Sequence, residues 1–222
     1  MNIRMLPIIV AVILGQNTWA DEPQHSGYLT ADVYQKLELV EIREGDAAKR
    51  WMGPRLNFAN YKTLLVDNVI LYPEPEPGPQ VSQETLDAVS DYFTRSMKEK
   101  MGAVMTLANE PGPQTLRVQA AITGVEIKTE GMKAYEIVPV AAIFGGAKAL
   151  TGNRAREVHV YLEVKLTDSE SGDLLGAVVR RIDGEKLKNK KEQLDLAHLQ
   201  PDLDTAATDA SDAMSGMLAP EK

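Results

Sequence analysis

The stretch Val158–Ile182, "VHVYLEVKLTDSESGDLLGAVVRRI", decides how this chain folds. Val158, Val160, Leu162, Val164 and Leu166 alternate with His159, Tyr161, Glu163 and Lys165. That period of two marks a strand with one buried face. "DSESGD" (Asp168–Asp173) is rich in the residues that turn a chain, and Leu174–Ile182 returns as the antiparallel partner.

Upstream, Leu116, Val118, Ala120 and Ile122 alternate in the same way until Gly124, after which Val125 and Ile127 carry the apolar parity. A one-residue slip beside a glycine predicts a β-bulge. "KTLLVDNVIL" (Lys62–Leu71) predicts a further strand, and "AVMTLA" (Ala103–Ala108) a short one. "PEPEPGP" (Pro73–Pro79) is a stiff connector that neither a helix nor an inner strand accepts.

Ser82 caps a helix whose stripe is Leu86, Val89, Phe93, Met97 and Met101, with Gly102 as its stop. Pro201 opens another helix, striped by Leu203, Ala206, Ala207, Ala210, Met214 and Met217. Between them, "GEKLKNKKEQ" is a charged, solvated loop. Residues 21–60 form an extended or partly helical N-terminal segment, and 61–222 a single α/β domain. The expected fold is an α+β sandwich: a mixed sheet of about five strands with helices packed mainly on one face.

The N-terminus addresses the compartment. Arg4 precedes the apolar run Leu6–Leu14, and Thr18-Trp19-Ala20 forms a small-residue cleavage site. This is the order of a secretory signal peptide over residues 1–20. The run is too short to span a bilayer, which takes about 20 residues. The chain carries a formal charge of -8 and no cysteine. Disulfides, thiolate metal sites, cysteine nucleophiles and attachment of lipid to an N-terminal cysteine are excluded on that count. An acidic chain without a basic stripe makes nucleic acid an unsuitable partner.

The remaining residues carry no recognisable catalytic motif. His25, His159 and His198 lie far apart in sequence, and His159 is expected as a plain surface residue of its strand. No serine stands in a G-x-S-x-G elbow. Asp168, Glu170 and Asp173 lack the frame of a calcium loop, and "FGGAK" lacks the spacing of a phosphate loop. No cofactor, metal or catalytic residue is assigned.

What stands out is "VPVAAIFGGAKALTG" (Val138–Gly152), an apolar Gly/Ala-rich run in an acidic chain. One reading is a buried strand, Ile137–Phe144, followed by a glycine turn. The other is an exposed contact loop built on Val140, Ile143, Phe144, Gly145, Gly146 and Leu150. A second candidate is an anion or ligand entrance formed by Arg154, Arg156 and Tyr161.

Five segments together resemble a known family: "SGYLTADVYQKL", "NYKTLLVDNVILYP", "PGPQTLRVQAAIT", "VPVAAIFGGAKALTG", and "VYLEVKLTDSESGDLLGAVVRR" followed by Gly184. They are similar to bacterial domain-of-unknown-function family 3313, described as exported lipoproteins, over about Gly27–Leu218. A fainter likeness of element order is to the curli secretion channel subunit and the penicillin-binding-protein activator lipoproteins. Members of the family usually carry a lipobox cysteine, which this chain lacks.

The resemblance implies an exported, periplasmic protein, outer-membrane associated in one version, and the missing cysteine leads to the expectation that it is not lipid-anchored. Its expected role is non-enzymatic: an envelope accessory or assembly protein contacting an envelope protein or a second copy through 138–152. Membrane contact is compatible with this, without a transmembrane helix after signal cleavage. The alternative is a periplasmic small-ligand or peptide binder, and an unrecognised hydrolase ranks below both.

Overall fold

The structure, a computed structural model, describes residues 25–44, 46–75, 80–129, 155–189 and 191–218. The signal peptide expected over 1–20, the 138–152 run with its alternative strand Ile137–Phe144, and Arg154 lie outside the described residues.

Three long strands form the centre. β6 (Thr115–Thr129), β7 (Arg156–Asp168) and β8 (Leu174–Leu187) are consecutive antiparallel neighbours. The β7–β8 turn is the one read from sequence. Asp168 Oδ1 accepts the backbone N–H groups of Glu170 (3.1 Å) and Ser171 (2.9 Å). Gly172 takes the left-handed φ of 75° that closes the turn. The bulge is also present: Ile122 pairs with Leu162 and Gly124 with Tyr161, so Thr123 has no opposite residue. The slip returns Val125 and Ile127 to the face already lined by Leu116, Val118 and Ile122.

β1 (Glu38–Arg43) and β2 (Asp46–Met52) form a hairpin that joins the sheet along β8. On the other side β3 (Thr63–Val66) and β4 (Ile70–Leu71) run parallel to β6, and β5 (Thr106–Leu107) runs parallel to β3. The sheet is therefore mixed, as expected, but among the described residues it has eight strands in the order β1-β2-β8-β7-β6-β3-β5, with β4 also on β6. It exceeds the expected size because the N-terminal segment supplies two strands and Lys62–Leu71 divides into two. The division falls at Asp67, whose carboxylate turns to Arg117 on β6 at 2.7 Å.

Short helix α1 (Ala31–Tyr34) lies on one face of the sheet. The longer α2 (Gln83–Gly102) and α3 (Gln200–Leu218) cover the other. Ser82 Oγ accepts the N–H of Thr85 at 3.1 Å and so satisfies one open donor of α2. The α2 stripe is buried from Leu86 to Met101, as its spacing predicted. Asp204 on α3 accepts hydrogen bonds from Tyr92 and Ser96 on α2, each 2.7 Å long, which lock the two helices together. The Tyr92 bond, with help from Ser96, holds the Asp204 carboxyl below the usual carboxylate range.

Candidate functional site

The sheet's two faces place the candidate residues apart. Arg156 shares strand parity with Val158 and Val160 on the α2/α3 face, where its Nη1 donates to Gln80 Oε1 at 3.0 Å. Tyr161 has the opposite parity and is 5% exposed, with its hydroxyl donating to Glu126 at 3.2 Å. The two do not form one entrance. Alternation assigned Tyr161 to a polar outer face, whereas the structure buries it, and on the same face residues 25–37 cover Glu163, Lys165 and Ala177.

This N-terminal arm explains a cluster of polar groups no motif announced. Tyr34 donates to Glu163 Oε2 at 2.6 Å, and Ser26 Oγ lies 3.1 Å from the Tyr34 hydroxyl. Tyr28 donates to the carbonyl of Gln119 at 3.2 Å, while the Lys165 ammonium sits 3.9 Å from the centre of its ring. Leu29 and Val33 pack with Ala177, and Trp51 borders them. Glu163, at 3% exposure, thus stays buried because the arm brings it a donor.

Burial pushes both Tyr28 and Tyr34 up to about 12, with Asp67 and Glu163 adding to the rise at Tyr28 and the Glu163 bond at Tyr34. Burial, followed by the charge of Glu126, raises Tyr161 as well. Hydroxyls held protonated in this way are poor nucleophiles at neutral pH. The cluster fastens the arm to the sheet.

His159 departs from the plain surface position expected of it. Its side chain is 12% exposed, and Nδ1 lies 2.6 Å from Asp183 Oδ1, its cross-strand partner. That bond holds the Asp183 carboxyl low. His25 stacks on Tyr34 with ring centres 4.0 Å apart, and His198 takes part in a capping box with Asp195. Among the described residues no group of three or more metal-ligating side chains converges.

On the α2/α3 face, the helices leave a space beneath β1 and β2. A cavity of about 150 Å³ lies there, floored by Phe93, Met97, Val118, Leu162 and Met214. Val164 and Val178 are cross-strand partners at the middle of the sheet, yet both stay partly exposed because they line this cavity. Arg180 also lines it, on the parity of Val178 and Ile182. Its Nη2 donates to Asp46 and Asp209, both at 2.6 Å, and Arg43 closes the cluster by pairing with the same two carboxylates. Sequence reasoning missed Arg180, although an arginine among the apolar positions of a hairpin strand was the available signal.

The family described as "Protein of unknown function (DUF3313)" matches residues 24–210. An Escherichia coli protein described as "Uncharacterized lipoprotein YdcL" is 31% identical over 188 residues, covering 85% of this chain and 84% of that protein. Its description lends no support to the expectation that this chain lacks a lipid anchor. No catalytic activity is named for the family or for this relative.

Among solved structures, the PelC dodecamer from Paraburkholderia phytofirmans is 12% identical with a TM-score of 0.35, over 78% of this chain and 98% of that chain. A minor lipoprotein from Acinetobacter baumannii is 11% identical with a TM-score of 0.37, over 73% and 96%. The sequence match extends across the arm, the central hairpin and most of α3, and the chain belongs to the DUF3313 family.

Proposed function

We propose that this protein is an exported, non-catalytic component of the cell envelope that acts by binding another protein, with residues 138–152 as its contact element. The observation that carries this is the register of β6 and β7. Thr129 and Arg156, which flank residues 130–155, are direct cross-strand partners. A hairpin closing there needs only about two to five residues. The intervening segment is far longer than the connection requires, and long excursions from a closed sheet are where binding elements concentrate. The lipoprotein description of the Escherichia coli relative supports the envelope setting.

Photo-crosslinking in living cells from a reactive residue at Phe144 tests this. Capture of a defined envelope protein or of a second copy is the expected result. Deleting 141–149 should abolish co-purification of the captured protein while leaving the melting temperature within a few degrees of the parent. Unfolding on deletion would make the segment part of the core and end the proposal.

A periplasmic small-ligand or peptide binder is the second role, favoured by the cavity beneath β1 and β2. It moves the ligand to the opposite face of the sheet from Tyr161.

A further inference from the structure

Building on that second role, we infer that the cavity binds the alkyl chain of a fatty-acid anion whose carboxylate pairs with Arg50. The lining is almost wholly hydrocarbon and methionine, around about 150 Å³. An apolar cavity of roughly that size takes a benzene-sized group, so about six carbons of a single chain fit inside. Its rim is open: Val40, Ile42, Met52, Val164 and Val178 all line it and stay partly exposed. Methionine side chains adapt to an irregular guest.

The charges along the lining select the head group. Arg180 and Asp209 line the cavity as partners, and with Arg43 and Asp46 they form a neutral group of two cations and two carboxylates. The remaining charged residue of the lining is Arg50, which makes no ion pair or hydrogen bond among the described residues. Even Glu38, its exposed cross-strand partner on β1, makes no ion pair with it. Arg50 is half-buried, and burying a charge without a partner is costly. An arriving carboxylate relieves that cost, and a charge-assisted pair is roughly twice as strong as a neutral hydrogen bond.

The strand register carries the chain inward. Arg50 lies opposite Val178, and Val178 opposite Val164, all three in the cavity lining. The two valines lead from Arg50 into the cavity across two strand spacings, about 10 Å. A phosphate monoester head would bring nearly two negative charges to one unpaired arginine, with Asp209 and Glu38 on the same face. A singly charged carboxylate matches the site.

The test uses the full chain with methionine methyl groups labelled with carbon-13, titrated at neutral pH with sodium octanoate, octan-1-ol and octyl phosphate in turn. Saturable shifts are expected at Met97 and Met214, and none at Met105, which lies outside the lining. Octanoate should bind at least about tenfold more tightly than the alcohol. Arg50→Gln should weaken octanoate about tenfold and leave the alcohol within about twofold. Because Arg50 makes no polar contact among the described residues, the melting temperature of Arg50→Gln should stay within a few degrees of the parent.

Absence of saturable binding by any of the probes overturns both the ligand-binding role and this inference. Alcohol binding as tight as octanoate's, or octanoate binding unchanged by Arg50→Gln, overturns the inference and leaves the role standing. Tighter binding of octyl phosphate overturns the carboxylate head. Shifts at Met105 in place of Met97 and Met214 overturn the location.

Discussion

The helix-covered face of the sheet is closed by hydrocarbon, whereas the arm-covered face is closed by tyrosine hydroxyls bonded to carboxylates. On the first, Leu116, Val118 and Val160 meet the stripes of α2 and α3. On the second, Tyr34 reaches Glu163 and Tyr161 reaches Glu126. Apolar burial is non-directional and tolerates small shifts, while a buried carboxylate demands a donor in one position. The two faces should therefore fail in different ways: the first by loss of volume, the second by loss of a single proton donor or of its proton.

The largest effect is expected on the helix-covered face. Leu116 is 0% exposed, and Leu116→Ala should cost about 2–5 kcal/mol, read from urea unfolding. A cost below that range would mean the core there collapses to fill the gap. On the arm face, Tyr34→Phe preserves the ring and removes the donor to Glu163. It should cost about 1–3 kcal/mol, and the paired substitution Tyr34→Phe with Glu163→Gln should recover part of the loss. If Tyr34→Phe is silent, Glu163 does not depend on the arm, and the contrast between the faces collapses.

The smallest effect is on pH dependence. Tyr28 and Tyr34 have folded-state pKa values of about 12, above the ordinary tyrosine value of 10.0. For a raised pKa the stabilisation is complete below the unfolded value and is lost as pH rises through the folded value. The arm should therefore loosen between about pH 10 and pH 12. Trp51, which borders the arm, reports this by fluorescence. Tyr34→Phe should shrink the transition, and an unchanged transition would assign it to other groups.

Much of the helix-covered face was legible along the chain because its signals are local. The cap at Ser82, the three-to-four spacing from Leu86 to Met101 and the slip at Gly124 each arise within a few residues. The 168–173 turn does too, but the pairing of β7 with β8 slips by one between Leu166 and Thr167. Counting outward from the turn would therefore have set His159 against Ile182 and Leu162 against Val179, whereas the structure pairs them with Asp183 and Arg180. The β1–β2 hairpin was less legible: β2 is covered on both faces and shows no clean alternation, and β1 alternates only between exposed and half-covered positions.

By itself, then, the sequence determined which residues form the central strands, where they turn, where the bulge falls and which face of α2 is buried. These are consequences of backbone geometry and side-chain period acting over neighbouring positions. Only the tertiary structure decided that a face patterned as polar is buried, since its cover is an arm more than a hundred residues earlier in the chain. It alone decided that Arg180 stands beside an apolar cavity with both its carboxylate partners supplied from elsewhere, Asp46 on β2 and Asp209 on α3. Partners distant in sequence leave no periodicity to read, because their meeting depends on how whole elements pack.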